Sequence, residues 1–234
     1  MRALIIEHDH LSPAGPIGQA LLEHGYQVVE FVVVPGARFE SPGISADFPE
    51  LAEFDLLVSM GAPWSVYDRS RIEPWLSQET ALLMAADATG VPVLGICFGG
   101  QLLAQAHGGS VCRSPKPEIG WYPMAADDAE LIGQGPWFEW HFDHWTLPPG
   151  ATEIARNELA SQAFWLRRNL AVQFHPELTA DTLRGWLTNG GDRSAIAHGV
   201  DPDRLIEQTL HNEGDASERA HRLITRFLSQ VGVS

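Results

Sequence analysis

The stretch Val91-Pro92-Val93-Leu94-Gly95-Ile96-Cys97-Phe98-Gly99-Gly100-Gln101 indicates the fold class more strongly than any other part of this chain. A short apolar run ends at Cys97, and helix-forming residues follow at once. The flanking glycines leave room for a substrate or another backbone to come close. The pattern predicts a sharp strand-to-helix turn that exposes Cys97 at the end of a buried strand. The positive end of that helix would favour the thiolate form of the cysteine.

Strand-like and helix-like segments alternate on both sides of this turn. The first half has strand-like runs at 3–7, 27–34 and 54–59, with helix-like segments between them and a long helix expected from Pro74 to Gly90. Such alternation is typical of a parallel sheet covered by helices on both faces. The sequence therefore predicts an α/β fold with a mainly parallel, open, flavodoxin-like sheet.

The second half has a different pattern. Short strands are expected at 118–124, 151–156, 162–166 and 170–174, and from Leu178 onward the chain reads as helical. Breaks in that helical region are expected at 189–191 and 212–214, where asparagine and glycine cluster. We expect one domain over residues 1–234, with a helical C-terminal extension from about residue 179.

Composition excludes several functional classes. The 234 residues carry a formal net charge of −15, which disfavours nucleic acid or an anionic membrane as a partner. No apolar run approaches the roughly 20 residues of a membrane span, and the N-terminus enters a strand without a signal-peptide cleavage site. With only two cysteines, the sequence predicts a cytoplasmic protein rather than a disulfide scaffold.

A general base for Cys97 is expected in the run Ala171-Val172-Gln173-Phe174-His175-Pro176-Glu177. Residues two apart in an extended chain point the same way, so Glu177 can orient the imidazole of His175. Pro176 places this pair at a strand end, where the sites of open α/β sheets lie. A metal site at His141-Phe142-Asp143-His144 is the alternative, but its spacing matches no strong metal signature. We expect no metal and no cofactor.

A cysteine nucleophile that attacks a carbonyl also needs donors for the oxyanion of the tetrahedral intermediate. One donor is expected to be the backbone N–H of Phe98, directly after the nucleophile. The second is expected in the loop Ser59-Met60-Gly61-Ala62-Pro63. Pro63 has no N–H, so either Ala62 or Gly61 has to supply it.

Several motifs resemble those of class I glutamine amidotransferases. The runs G-I-C-F-G-G-Q at 95–101 and Q-F-H-P-E at 173–177 resemble the two signatures of that family, and M-G-A-P-W-S-V-Y-D at 60–68 resembles its oxyanion loop. The runs at 117–121 and 138–143 are similar to segments of the freestanding, GMP-synthetase-like subgroup. The resemblance extends over most of the chain and rests on the order and spacing of these motifs.

The resemblance implies a role for each matching residue. It makes Cys97 the nucleophile, His175 the base and Glu177 its orienter, with oxyanion amides at Ala62 and Phe98. It also implies substrate-binding positions, which are Gln101 and Gly61 and, on one loop, Trp140 and Phe142. Many members have glycine where this chain has Ala62, and members usually have glycine at the position of Phe142. These two departures concern the oxyanion loop and the substrate pocket.

Three functions remain open on the sequence alone. The first is hydrolysis of the glutamine side-chain amide through a thioester, with delivery of ammonia to a separate synthetase subunit. The second is a self-contained hydrolase of γ-glutamyl peptides or amides. The third is a non-catalytic module that keeps the fold, against which an intact Cys97, His175 and Glu177 set argues. Glutamine or another γ-glutamyl small molecule is the expected ligand of the first two.

Overall fold

A computed structural model describes residues 1–233 and contains an eight-stranded sheet and a two-stranded ribbon. The strands are β1 (Arg2–Glu7), β2 (Gln27–Val32), β3 (Leu56–Ser59), β4 (Val93–Ile96), β5 (Ser110–Pro123), β6 (Ala125–Ala126), β7 (Pro136–Thr146), β8 (Thr152–Arg156), β9 (Ser161–Leu166) and β10 (Asn169–Val172). The helices are α1 (Gly15–Glu23), α2 (Arg69–Thr89), α3 (Phe98–Ala106), α4 (Ala129–Ile132), α5 (Ala180–Trp186), α6 (Asp192–Ala197) and α7 (Pro202–Val231). A kinked turn, Leu187–Gly191, joins α5 to α6.

The strand order of the large sheet is β2-β1-β3-β4-β10-β9-β8-β6. The first five strands run parallel to their neighbours, whereas β9, β8 and β6 pair antiparallel. Strands β5 and β7 form the separate antiparallel ribbon. The prediction of a mainly parallel, open α/β sheet flanked by helices is confirmed. The carboxyl ends of β1, β3, β4 and β10 therefore meet at one edge, where sites of such sheets lie.

Burial on both faces explains why the central strands are apolar throughout. Along β1, Ile5 packs into the core under one face of the sheet and Leu4 into the core under the other. Helices α1 and α7 contribute apolar side chains to the first core, and α2 and α3 contribute to the second. Alternating side chains of a strand point to opposite faces, so a strand buried on both faces has no polar alternation.

The prediction of a helix break at 212–214 is wrong, because α7 runs without interruption from Pro202 to Val231. Buried side chains at helical spacing, among them Leu205, Thr209 and Ala216, lie on both sides of the glycine at 214. A glycine inside a helix costs only about 1 kcal/mol, which this buried face outweighs. The chain instead breaks before α7, at residues 198–201.

Two other boundaries differ from expectation. Helix α2 begins at Arg69 and includes Pro74, because the burial of Ile72 and Trp75 outweighs the one hydrogen bond that the proline removes. The segment 136–146, which includes the expected loop with Trp140 and Phe142, is strand β7. It pairs with β5 along most of its length, and its polar side chains Glu139, His141 and Asp143 are buried rather than solvated.

The helices of residues 1–233 include none with the length and apolar character needed to cross a membrane.

Candidate active site

Cys97 lies in the turn between β4 and α3, in an unusual backbone conformation. Its φ of 50° and ψ of −104° are outside the regions that L-residues favour. The N–H of Cys97 donates to the carbonyl of Val172 at 2.8 Å, which ties the turn to the end of β10. Strained residues of this kind cost about 1–3 kcal/mol and cluster at functional sites.

The turn after Cys97 needs glycine at position 99. A Cβ at this position would overlap the carbonyl and hydroxyl oxygens of Ser59 at the end of β3. The N–H of Gly99 donates to the carbonyl of Met60 at 3.0 Å. The helix start is thereby packed against the loop that follows β3, which brings both candidate sources of oxyanion donors together.

His175 and Glu177 are in direct contact, three and five residues after the end of β10. The Nδ1 atom of His175 lies 2.7 Å from Oε1 of Glu177, and both side chains are buried. Burial alone would lower the pKa of His175, but its contacts with Glu177, and with Cys97, raise it well above its ordinary value. The charge of Glu177 therefore favours the imidazolium form of His175.

The cysteine and the histidine meet beside Gly61. A Cβ built on Gly61 would lie 3.2 Å from Cε1 of His175 and 3.9 Å from Cβ of Cys97. The Nε2 atom of His175 is buried and has no hydrogen-bond partner within residues 1–233. It is the ring nitrogen left for the thiol, because Glu177 takes Nδ1.

The two N–H groups expected in the oxyanion hole both border the same cavity. Ala62 and Phe98 line it together with Cys97 and His175. Within the described part of the chain, neither N–H donates to a backbone carbonyl or a side chain. Free N–H groups beside a nucleophile are what stabilisation of an oxyanion requires.

The predicted substrate-binding residues lie around this cavity of about 420 Å³. Gly61, Gln101, Trp140 and Phe142 all line it, the last two from strand β7 rather than from the expected loop. The side-chain amide of Gln101 donates to the carbonyl of Asp143 at 3.3 Å. Residues 189–191 of the kinked turn also line it.

Phe142 does not simply fill the cavity. Its ring packs between the guanidinium of Arg113, at 4.7 Å, and the ring of His198, at 5.1 Å. Next to it, the Asp143 carboxylate accepts hydrogen bonds from Ser65 and Tyr67, the latter at 2.6 Å. These contacts join the ribbon to the loop that precedes α2.

A buried charged cluster lies behind the cavity. The Nε2 atom of His141 is 3.1 Å from Glu118 and 3.3 Å from Glu139. Burial opposes its charge, but the two carboxylates raise the pKa of His141 to about 10. Burial raises the pKa of Glu139 to about 7. His144 contacts Cys112 and Ser114 instead, so the two histidines of the alternative metal motif have different partners.

Two polar residues at this edge of the sheet are not among the sequence predictions. His8 follows β1 directly and contacts both Gly61 and Glu79 of helix α2. The polar run after an apolar strand was a usable signal for His8, because the adjacent strand ends form the site. Nothing in the local sequence distinguishes the fully buried Glu79 from the partly exposed carboxylates of the same helix.

The strand ends of this open sheet hold Cys97 and His175 beside one cavity, with Glu177 in contact with His175. Such an arrangement is suited to acyl transfer through a cysteine. The family model described as "Glutamine amidotransferase class-I" matches residues 27–190, which is more than half of the chain. The chain belongs to the class I glutamine amidotransferase family.

Individual relatives agree with this assignment. The chain is 26% identical to a putative glutamine amidotransferase-like protein YfeJ from Salmonella typhimurium, over 99% of this chain and 97% of that protein. It is 39% identical to a GMP synthase from Aromatoleum aromaticum over 61% of this chain, but spans only 29% of that enzyme. It is 34% identical to one subunit of the glutamine-hydrolysing GMP synthase from Sulfurisphaera tokodaii, over 55% of this chain and 70% of that relative.

The solved structures place the fold in the same family. A glutamine amidotransferase from Thermotoga maritima superimposes with a TM-score of 0.83 and 26% sequence identity. The match covers 97% of this chain and 98% of that chain. The similarity to GMP synthase glutaminases and to this structure supports the subgroup that the sequence motifs indicate.

Proposed function

We propose that this protein hydrolyses the side-chain amide of glutamine through a thioester on Cys97 and delivers the ammonia to a separate acceptor enzyme. The proposal rests on one observation: Cys97, His175 and the two residues with free N–H groups border the same cavity, and Glu177 contacts His175 from behind it. Each of these groups matches a requirement of amide hydrolysis by a thiolate. Membership of the amidotransferase family supports glutamine as the substrate.

In the proposed first half-reaction, the Sγ atom of Cys97 attacks the amide carbon of the substrate. The carbonyl oxygen becomes an oxyanion, which the N–H groups of Ala62 and Phe98 stabilise. The carbon–nitrogen bond then breaks, and His175 gives its proton to the departing nitrogen, which leaves as ammonia. A thioester between Cys97 and the γ-carbonyl of the glutamyl group remains.

In the second half-reaction, the neutral His175 takes a proton from a water molecule. The resulting hydroxide attacks the thioester carbon, and the carbon–sulfur bond breaks to release glutamate and the Cys97 thiolate. Glu177 stabilises the imidazolium in both halves and keeps Nε2 directed at the reacting atoms. No cofactor enters either step.

A separate acceptor for the ammonia is part of the proposal. One relative is a single subunit of a glutamine-hydrolysing GMP synthase, and another match covers only 29% of a longer GMP synthase. Both relatives fit a glutaminase that works with a synthetase. Glutaminase activity of this chain alone should then be low and should rise when its acceptor is added.

A second candidate function is the self-contained hydrolysis of γ-glutamyl peptides or amides. The size of the cavity favours it, because about 420 Å³ falls within the range of roughly 300–1,000 Å³ that holds drug-sized ligands. Free glutamine is much smaller. The aromatic side chains of Trp64, Trp140 and Trp186 at the cavity wall suit an apolar group on the leaving amine.

Product analysis of the purified protein distinguishes these functions. The substrates are glutamine and a panel of γ-glutamyl peptides, each with and without the proteins of neighbouring genes. Ammonia release that rises with a partner supports the first function, and partner-independent release of amines from the peptides supports the second. Failure of Cys97 to react with an α-chloroketone analogue of glutamine would instead favour a non-catalytic module.

A further inference from the structure

A chain of three buried side chains lies directly behind the loop that carries Ala62. The hydroxyl of Ser59 donates to Oε1 of Glu79 at 2.7 Å, and Oε2 of Glu79 lies 2.8 Å from Nε2 of His8. The Nδ1 atom of His8 lies 3.0 Å from the carbonyl oxygen of Gly61. The three side chains are completely buried. The chain therefore ends on a peptide of the candidate oxyanion hole.

His8 donates to Gly61, because a carbonyl oxygen can only accept a hydrogen bond. Burial favours the neutral ring, yet the charge and hydrogen bond of Glu79 raise the pKa of His8 above its ordinary value. An imidazolium carries hydrogen on both nitrogens. One N–H therefore points at Glu79 and the other at the carbonyl of Gly61. The ring is held in place by Trp75 and Phe98, with ring centroids 5.4 and 4.7 Å away.

Because the peptide bond is planar, this contact also sets the direction of the N–H of Ala62. In a planar trans peptide, the C=O and the N–H point to opposite sides. The carbonyl of Gly61 points at His8, which does not line the cavity. The N–H of Ala62 therefore points away from His8. Gly61 and Ala62 both line the cavity on the side of Cys97.

His8 is the one group in the described chain that holds this peptide. Met60 is tied at both ends, by an N–H···O bond to Ile6 and by the N–H of Gly99. Within residues 1–233, neither the carbonyl of Gly61 nor the N–H of Ala62 has another hydrogen bond. A flipped peptide would direct the N–H of Ala62 at the N–H of His8, which leaves two buried donors facing each other.

We propose that His8, oriented by Glu79, is a positioning residue that keeps the Gly61–Ala62 peptide with its N–H directed at the oxyanion. His8 touches no substrate atom and acts only through this peptide. The inference rests on the proposed amide hydrolysis for its kinetic consequence. The orientation of the peptide is a separate structural statement that does not depend on it.

Two substitutions of His8 separate its two hydrogen bonds. In His8→Asn the side-chain amide replaces Nδ1, so a donor to Gly61 remains while Glu79 loses His8 and keeps only Ser59. In His8→Gln the amide replaces Nε2, so Glu79 keeps its partner while Gly61 loses the donor. Both variants are polar and uncharged at this site, and their melting temperatures show whether each one folds.

We expect His8→Gln to lower kcat by about 100- to 1,000-fold, the usual effect of losing one oxyanion donor. His8→Asn should stay within about tenfold of the wild type, because a neutral hydrogen bond replaces a charged one. The rate of Cys97 alkylation by iodoacetamide should be unchanged in both variants, since that displacement forms no oxyanion. If His8 had a merely structural role, kcat and the alkylation rate would fall together in both variants.

The crystal structure of His8→Gln supplies the second readout. A rotated Gly61 carbonyl supports the proposal, and a carbonyl that keeps its orientation overturns it. Equal kcat values for the two variants would also overturn it. If the wild-type protein releases no product from glutamine or the γ-glutamyl panel, the proposed function fails, and the carbonyl orientation still decides the role of His8.

Discussion

The carboxylate of Glu177 lies 2.7 Å from Nδ1 of His175, with Pro176 between the two residues in the sequence. Its negative charge is one of the causes that raise the pKa of His175 despite burial. In Glu177→Gln this charge is absent, so the pKa of His175 falls and the imidazolium is lost at a lower pH. We expect the alkaline limb of the kcat profile to move to lower pH, and kcat to fall by up to about 10,000-fold.

The pH–rate profile of glutamine or γ-glutamyl hydrolysis measures both effects. Glu158→Gln changes an exposed carboxylate of the same kind and serves as the control, with an unchanged profile expected. An unshifted alkaline limb in Glu177→Gln would contradict the assigned role of Glu177 as the orienter of His175.

The two cysteines of the chain provide a matched pair. Cys97 is buried in the turn before α3, whereas Cys112 is exposed on β5. Cys97→Ala should abolish turnover because no other group can form the thioester, and the circular dichroism spectrum should not change. Cys112→Ala should retain wild-type kcat. Full activity of Cys97→Ala would refute both proposed hydrolytic functions.

Two glycines should respond to alanine in opposite directions. At Gly214, inside α7, nothing lies within 4 Å of a new Cβ, and alanine should raise the free energy of unfolding by about 0.5–1 kcal/mol. At Gly99 a Cβ would overlap the carbonyl oxygen of Ser59, and alanine should lower that free energy by about 1–3 kcal/mol or more. Urea denaturation measures both values. A stabilised Gly99→Ala variant would be incompatible with the tight turn.

The buried carboxyl of Glu139 makes stability depend on pH. Its pKa is about 7 in the folded protein and 4.5 ordinarily, so the folded state binds this proton more tightly than the unfolded state. The resulting stabilisation is complete below about pH 4.5 and is lost as the pH rises through 7. The glutamine side chain of the variant Glu139→Gln does not titrate, so it makes no such contribution. The melting temperature of Glu139→Gln relative to wild type should therefore increase between pH 5 and pH 8.

The pKa shift of Glu139 also bounds the corresponding change in the free energy of unfolding, which at about 1.4 kcal/mol per pKa unit should not exceed roughly 3.5 kcal/mol. Thermal melts at matched ionic strength measure it. A constant difference in melting temperature across this pH range would mean that Glu139 does not bind its proton more tightly in the folded state.

Much of the fold follows from local sequence, and the failures have physical causes. The strand before Cys97 and the helix after it are predictable because apolar runs and glycines mark them directly. The uninterrupted helix across Gly214 is not predictable, because burial against distant strands outweighs local propensity. The segment 136–146 becomes a strand only by pairing with β5, which no local pattern specifies.

The candidate site also contains contacts that the sequence predicts and contacts that it does not. His175 and Glu177 are two positions apart in the sequence, and this spacing predicts their contact. The contact between His8 and Glu79 joins residues 71 positions apart, and it exists only once α2 packs over the end of β1. Positioning residues of this kind depend on tertiary packing, and a single sequence gives no periodic signal for them.

The cavity has two kinds of wall. The proposed reacting groups follow strands of the large sheet, whereas Trp140 and Phe142 belong to the separate ribbon and residues 189–191 to a kinked turn. The two kinds of wall are coupled, because the N–H of His175 donates to the carbonyl of Phe138 on the ribbon at 2.9 Å. Under the proposed function, a substitution on the ribbon that changes which leaving amine is accepted should also shift the base, so specificity and rate would change together during evolution or engineering.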